Sequence, residues 1–506
     1  MPELPILSAK LVQMGPPRQK KTMRVHLVAV AGTGMGALAG LFKAMGHHVS
    51  GSDTAFYPPM GPALERWGIE LHAGFDAKHL EPRPDLVVVG NVCRPQNPEA
   101  RAAIDGGLRV SSMAHALAEI ALDGRSPLVV GGTHGKTTTS AMCAHILHAA
   151  GLDPGFLIGG LPKNFETSFR VPGPRKLASS GGRPSTRRTP FVVEGDEYDT
   201  AFFEKTPKFW HYRPEVGIIT SIEHDHIDIY PDAASYDAAF RGFVERIPEA
   251  GLLVASAHDA HVIAIAREAK CELAFYALAD DDTHGAPPHW LAAPVIGTTE
   301  FDLFVGGVSA GRSRLGVPGE HNLRNALAAL AACSQGFGVD VKLALAALET
   351  FEGVRRRQDL LYFADGVRVY DDFAHHPTAV RETLAALRSK HRDGALWAVF
   401  EPRSATACRS LHQAEYGASF GAATRVVFAP LGRSDIPVEA RLDLEAIARV
   451  VTERGVPASV ASSVDDIVAT IVSGAQPGDT VALLSNGAFG GIYEKLKVDL
   501  EARERR

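Results

Sequence analysis

The stretch VVGGTHGKTTTS, residues 129–140, sets a lysine and three threonines directly behind closely spaced glycines. Residues of these types in this order hold phosphate. Gly131, Gly132 and Gly135 lack a Cβ, so the backbone can approach an anion and turn through positive φ. Amides at a helix N-terminus then face the anion, where the helix dipole also favours negative charge. Lys136 can neutralise β- and γ-phosphate oxygens, and Thr137 can offer its hydroxyl to Mg²⁺. The expected ATP contacts here are Gly132, Thr133, His134, Gly135, Lys136, Thr137 and Thr138. The spacing departs from G-x-x-x-x-G-K-[ST], because Val130 stands five residues before Gly135. A generic kinase or GTPase loop is thereby disfavoured.

A nucleotide-bound Mg²⁺ takes a few protein groups besides phosphate oxygens. Two stretches supply candidates: FVVEGDEYD, with Glu194, Asp196, Glu197 and Asp199, and IITSIEHDHIDIY, with Glu223, His224, Asp225, His226 and Asp228. Either alone reads as a solvated acidic loop. Behind strands of the same sheet as the lysine loop, they become metal ligands. Nearer the N-terminus, AGTGMGA fits G-x-G-x-x-A through Gly32, Gly34 and Ala37, with Asp53 about 20 residues on, a fingerprint for a dinucleotide. Taken alone it suggests an oxidoreductase, but that leaves the lysine loop and the acidic clusters unused.

These residues need strands that end in loops. Apolar runs such as VHLVAV, DLVVVGN, FVVEGDE, ALWAVFEP and TVALLSNGAFGG alternate with helical stretches such as PTAVRETLAALRSK. Such alternation predicts α/β units with parallel sheets, whose ligands lie beyond the carboxyl ends of the strands. The 506 residues divide into a loose Pro-containing tail (1–22), a first unit (23–124), a central unit (125–353) and a last unit (354–506). Within the central unit, residues 172–190 are rich in Pro, Ser, Gly and Arg and read as a mobile surface loop. The net charge of −6 gives no footprint for nucleic acid. No run approaches the roughly 20 apolar residues of a membrane span. The KKTMRVHLVAVAGTGMGALAGLF segment is broken by glycines and reads as strand, turn and helix rather than as a signal peptide. Five dispersed cysteines without C-x-x-C fit a reducing cytoplasm, and Cys143 reads as core packing. The residue pattern sets no oligomeric state.

The segments GTHGKTTT, EGDE, IEHDHID, GEHNLRNALAA, GVRRRQD and YDDFAHHPTAV stand in the order found in Mur ligases, and from Met23 onward the chain resembles that family. Its members are ATP-dependent amide-forming enzymes of peptidoglycan synthesis. The resemblance implies a Rossmann-like UDP-binding domain, a P-loop ATPase-like centre and a C-terminal Rossmann-like domain. EGDEYDTAFFEKTPKFWHYRP, DDFAHHP, FEPRS and SNGAFGGIYEKL resemble the members that join UDP-N-acetylmuramate to the recovered tripeptide L-Ala-γ-D-Glu-meso-diaminopimelate. The rival within the family adds L-alanine instead.

By resemblance, Lys136 contacts the γ-phosphate, and Thr137, Glu194 and His226 hold Mg²⁺. His321 and Asn325 face the adenine, Arg356 or Arg357 reaches across from the last unit, and Asp371 meets the ribose. The loop of Gly32, Thr33, Gly34, Met35 and Gly36 takes the UDP diphosphate, with Asp53 and Asn91 beside it. Arg403, Ser404 and Asn486 face the peptide, Arg403 through a bidentate carboxylate pair. His375, His376 or His226 could take the proton of the incoming amine. Three positions depart from the family pattern: Ser221 for asparagine, Gly195 for alanine and Ala405 for asparagine. ASYDAAFRGFVERI also lacks the lysine that several relatives carbamylate.

Overall fold

The computed structural model describes residues 22–173, 187–227 and 229–505. The expected tail, except Thr22, lies outside the described residues, as do 174–186 of the expected loop and Asp228.

Three sheets follow one another along the chain. The first holds β1 (Arg24–Val28), β2 (His48–Asp53), β3 (Glu70–Ala73), β4 (Leu86–Val89) and β5 (Val110–Ser112), in the order β3-β2-β1-β4-β5. All its pairings are parallel. Strand order reverses at β1, whose neighbours β2 and β4 diverge at their carboxyl ends and open a crevice for a ligand. The helix Thr33–Ala44 starts there, with Gly32 as its N-cap.

The central sheet has ten strands: β6 (Ser126–Gly131), β7 (Gly155–Leu157), β8 (Phe169–Arg170), β9 (Pro190–Glu194), β12 (Val216–Ile219), β13 (Leu252–Ser256), β14 (Glu272–Leu278), β15 (Trp290–Pro294), β16 (Glu300–Val305) and β17 (Val308–Arg314). The hairpin β10 (Asp199–Ala201) and β11 (Glu204–Pro207) stands apart. The order is β17-β16-β15-β14-β13-β12-β6-β9-β7-β8. β6, β12 and β13 are buried along their whole length, and their uninterrupted apolar runs are those of strands covered on both faces. The helix Glu320–Phe337 packs over this sheet beside Lys136–Ala149, and Cys333 contacts the carbonyl of Cys143 inside that core. Cys143 is therefore a packing residue.

The third sheet runs β18-β19-β23-β20-β21-β22, from β18 (Asp359–Ala364), β19 (Val367–Asp372), β20 (Leu396–Phe400), β21 (Arg425–Phe428), β22 (Ala458–Val460) and β23 (Thr480–Leu484). Only β18 is antiparallel there. The α/β architecture expected from the alternating pattern is what forms. The antiparallel edge of the central sheet was not foreseen. β17 reads VSAGRSR and is largely exposed, so it lacks the apolar signature, and only the Gly306–Gly307 turn marks the hairpin. No helix among the described residues is long and apolar enough to cross a membrane.

A buried carboxylate ties the first unit together. Glu99, fully buried on the helix Pro98–Asp105, accepts from the Ser52 hydroxyl at 2.8 Å and from the Asp76 amide at 3.2 Å, and bonds His26 on β1. Burial opposes its charge, but the bonds from His26 and Ser52 prevail, and its carboxyl ionises below the usual glutamate value of 4.5. Its contribution is therefore complete above that value and is lost as pH falls through the lower, folded one. Glu99→Ala leaves His26 and Ser52 without their partner and destabilises this unit by about 3–5 kcal/mol at neutral pH. Hydrogen exchange of β1 and β2 amides reads that loss locally. Unchanged protection, or a loss that does not shrink in acid once that carboxyl is protonated, refutes it.

Candidate active site

Three adjacent strands deliver the phosphate-type chemistry. β6 lies between β12 and β9, with Gly131 opposite Ile219 and Val130 opposite Glu194. The lysine loop, the EGDE segment and the IEHDH segment thus leave neighbouring carboxyl ends, as their proposed joint role requires. In the loop, Gly132 has φ 135° and Gly135 has φ 80°. A Cβ on Gly135 would stand 2.4 Å from Asn325 Oδ1, and one on Gly132 would stand 2.0 Å from Thr220 Oγ1. Both glycines answer to conformation and to space. The Thr133 amide donates to the Ser221 carbonyl at 2.9 Å, and the His134 amide to the Ser221 hydroxyl at 3.0 Å. Ser221, a departure from the family pattern, thereby fixes the loop. The Thr133 hydroxyl accepts from the Glu223 amide at 2.8 Å. Thr138 is buried in the first turn of the helix.

Lys136 does not point into open space. Its ammonium donates to the Gly132 carbonyl at 2.5 Å and to the two Glu197 oxygens at 3.0 and 3.3 Å. Burial works against its charge, yet Glu197 and Asp196 raise its pKa further. Glu197 is fully buried and also meets His226 Nε2 at 3.2 Å and the Tyr236 hydroxyl at 3.3 Å. Against its own desolvation, Lys136 and then His226 pull its carboxyl down to about 2. The sequence ranks Glu197 among interchangeable acids; its place as counter-ion emerges only in three dimensions.

Thr137 donates to Glu194 Oε1 at 2.7 Å, and Glu194 Oε2 accepts the Gly159 amide at 2.6 Å. Burial, then the nearby Asp196, raises the pKa of Glu194. A hydroxyl and a desolvated carboxylate at one point form an all-oxygen pair suited to Mg²⁺, which attracts the charge that Glu194 carries unwillingly. His226 is placed differently. It sits at φ 55°, its ring 4.3 Å from Tyr198, with Nε2 committed to Glu197. Glu197 and Asp225 outweigh burial and raise its pKa. Gly195 packs where a Cβ would meet Val129 at 2.8 Å, so alanine at this position needs a shift of that side chain.

The histidine pair caps the helix Pro377–Lys390, which carries Pro377 at its first position. His375 is half-buried, with Nδ1 3.0 Å from the Phe373 carbonyl, and desolvation lowers its pKa to about 4. His376 packs against His134 and His412, each ring centroid 4.6 Å away. Burial, then His134, lowers its pKa to about 3. Both rings are therefore neutral at physiological pH, the state from which an imidazole accepts a proton.

In the last unit, Arg356 pairs with Asp371 at 2.9 Å and donates to the Ser485 and Gly487 carbonyls at 2.8 Å. Arg356 and Asp371 are thus bonded to each other, whereas Arg357 lies over the Phe373 ring at 5.1 Å. His321 Nε2 meets the Gln358 amide nitrogen at 3.1 Å. Asn325 is buried against Gly135. Arg403 follows β20 and Asn486 follows β23, the strand beside it. Gly432 and Gly487 flank the exposed Arg403 side chain, and a Cβ on Gly487 would fall 2.1 Å from its Cδ. The Ser404 hydroxyl accepts the Ala407 amide at 3.0 Å, and Asn486 Oδ1 is buried without a hydrogen-bond partner among the described residues. Ala405 lies partly exposed next to Ser404. In the first unit, Asp53 accepts the Ala31 amide at 2.9 Å and so orders the Gly32–Gly36 loop. Asn91 is exposed just past β4. Sequence reasoning did not single out Thr220, Glu401 or Tyr493. Thr220 donates to the His134 carbonyl, Glu401 pairs with Arg403, and Tyr493 bonds both Arg356 and Asp371; each lies within a quoted stretch whose residue types do not mark it.

Three family models match in series: Mur ligase family, catalytic domain (24–125), Mur ligase middle domain (130–333) and Mur ligase, glutamate ligase domain (356–487). The chain is 39% identical over 476 residues to the UDP-N-acetylmuramate–L-alanyl-γ-D-glutamyl-meso-2,6-diaminoheptandioate ligase of Escherichia coli strain K12, covering 94% of this chain and 97% of that one. It is 38% identical to a UDP-N-acetylmuramate–L-alanine ligase of Kineococcus radiotolerans over 80% of each chain. Among solved structures, a murein peptide ligase from Psychrobacter arcticus superposes with a TM-score of 0.70 at 35% identity, over 95% of this chain and 99% of that one.

Proposed function

The chain belongs to the Mur ligase family, and from that premise we propose that it joins UDP-N-acetylmuramate to L-Ala-γ-D-Glu-meso-diaminopimelate in peptidoglycan recycling. It is an ATP-dependent ligase that forms a C–N bond. The tripeptide reading rests above all on the identity to the tripeptide-adding relative, 39% across 94% of this chain, whereas alanine-adding relatives that cover as much of it are less alike.

The sugar-linked carboxylate attacks the γ-phosphorus of ATP, ADP leaves, and an acyl phosphate forms. The tripeptide amine then attacks the acyl carbon, phosphate departs, and the amine proton passes to a base. The first step brings two anions together, so it calls for cations and positioning more than for a protein nucleophile. Lys136 supplies one such cation by exchanging Glu197 for phosphate. Thr137 and Glu194, with His226 as a further candidate, are the residues to hold Mg²⁺, which when bound screens the phosphate oxygens. The amides of Gly132–Thr138 cradle the phosphates, His321 and Asn325 border the adenine, and Asp371 with Arg356 borders the ribose. Gly32–Gly36, Asp53 and Asn91 take the UDP moiety. His375 or His376 takes the amine proton. Arg403, Ser404 and Asn486 bind the peptide. The units carrying these roles are 23–124, 125–353 and 354–506.

Phosphate release with Mg·ATP and UDP-N-acetylmuramate, given either tripeptide or L-alanine, tests the assignment. Turnover with the tripeptide and none with L-alanine is expected. Turnover with L-alanine alone overturns it in favour of the alanine-adding activity. Arg403→Ala raises KM for the tripeptide roughly 10–100-fold, the worth of a hydrogen-bonded charge pair. KM for ATP stays unchanged. An unaltered tripeptide KM removes Arg403 from the peptide site.

A further inference from the structure

Between the central and last units, three side chains from three separate segments converge on one point. His134 comes from the lysine loop, Glu223 from the segment after β12, and His376 from the N-cap of the helix Pro377–Lys390. His134 Nε2 and His376 Nδ1 each lie 3.5 Å from the same Glu223 oxygen, Oε2. The three atoms all fall within 4.8 Å of one another. Metal–ligand bonds of about 2.0–2.1 Å at tetrahedral angles put ligand atoms roughly 3.3–3.4 Å apart, close to the 3.5 Å that separates each nitrogen from the Glu223 oxygen.

The nitrogens are also unspent. Both are shut off from solvent and neither makes a hydrogen bond of sound geometry, while His376, 6% exposed, has neither ring nitrogen bonded. Buried polar atoms of native proteins are nearly always satisfied, so two unpartnered ring nitrogens beside one carboxylate call for a ligand. Glu223 is held in turn by the Thr378 hydroxyl, which donates to Oε2 at 2.8 Å. An outer partner that orients a ligating carboxylate is part of how metal sites are built.

We propose that His134, Glu223 and His376 form a site for a zinc-class divalent cation, distinct from the oxygen pair Thr137–Glu194. Two imidazoles and one carboxylate suit a borderline ion and not Mg²⁺, which prefers oxygen. A second cluster offers a comparison: His115 Nδ1 lies 3.2 Å and His211 Nε2 3.7 Å from Glu204 oxygens. There, however, His211 Nε2 already meets the Thr206 hydroxyl at 2.9 Å, so its lone pair is in use. An ion at the first cluster fastens the lysine loop to the last unit and occupies two histidines. Zinc therefore inhibits the enzyme, a consequence that rests on the ligase reading, whereas the binding does not.

The test titrates zinc into the purified full chain in excess Mg²⁺, against a chromophoric chelator, with the visible spectrum of added Co²⁺ as a reporter of tetrahedral coordination. One equivalent is expected to bind. Its affinity falls at least about tenfold in Glu223→Gln and His376→Ala, and Glu223→Gln keeps the native melting temperature. The equivalent persists in Glu194→Gln and His211→Ala. Survival of the equivalent in Glu223→Gln, its loss in Glu194→Gln or His211→Ala, or no uptake by the native chain overturns the proposal. A chain that binds zinc through Glu223 but, freed of zinc and supplied with Mg²⁺, forms no amide bond counts against the ligase assignment and leaves the metal site standing.

Discussion

Lys136→Met lowers the ligation rate by about 10³-fold, the upper range for removing one preorganised charge from a reaction centre. The same change destabilises the protein, because the Lys136 ammonium is the main counter-charge of the fully buried Glu197. Without it that carboxylate keeps only His226 and the Tyr236 hydroxyl. Removing one partner of a buried pair costs about 3 kcal/mol at the low end of the measured range. Lys136→Met/Glu197→Gln separates the two effects: neutralising the stranded carboxylate restores the melting temperature, while the rate stays low. Phosphate-release kinetics and thermal melts of the single and double variants check this. A single variant within tenfold of the native rate sinks the catalytic role. A double variant no more stable than the single one sinks the counter-ion role.

Glu194→Gln has an effect of similar size and the opposite sign in stability. The ligation rate falls about 10²–10³-fold, since a neutral amide replaces the charged carboxylate beside Thr137 and holds the cation that screens the phosphate less tightly. The Mg²⁺ concentration for half-maximal rate rises. In metal-free solution, however, Glu194 is a half-buried, desolvated carboxylate crowded by Asp196. The glutamine keeps the shape, its oxygen can accept the Gly159 amide while its NH2 donates to the Thr137 hydroxyl, and the repulsion is removed. The variant therefore melts above the native protein in chelator, and the difference shrinks when Mg²⁺ is added. Sites built to attract a cation carry such a cost in its absence. A variant that melts lower than the native protein in chelator contradicts this account.

Much of this was legible in the residues. Strand-ending motifs point to carboxyl ends of parallel strands, and β12, β6 and β9 prove to be neighbours, so the clusters meet. GKT names its helix N-terminus, and Pro377 names the start of its helix. Partnerships were another matter. Nothing in EGDE separates Glu194, which meets Thr137, from Glu197, which meets Lys136; three residues on a turn decide it. Arg356, expected with Arg357 as alternatives to reach across from the last unit, and Asp371, expected at the ribose, bond each other across the β18–β19 end, a pairing set by tertiary geometry. The role of Ser221 was likewise hidden, since a hydroxyl that accepts one loop amide leaves no trace in spacing. The polar edge hairpin escaped because its exposed strand lacks the apolar run on which strand recognition depends.

The internal bonding of Lys136 has a consequence for selectivity. A phosphate cradle with an idle ammonium attracts any small anion in reach. Here the ammonium is already matched by Glu197 and the Gly132 carbonyl, so an arriving anion gains only the difference between two comparable partners. Inorganic phosphate and pyrophosphate bring nothing else and find a poor host. A nucleotide brings a base and a sugar whose contacts tip the exchange. In the proposed nucleotide role, the loop recognises the whole molecule by refusing to reward its most common fragment.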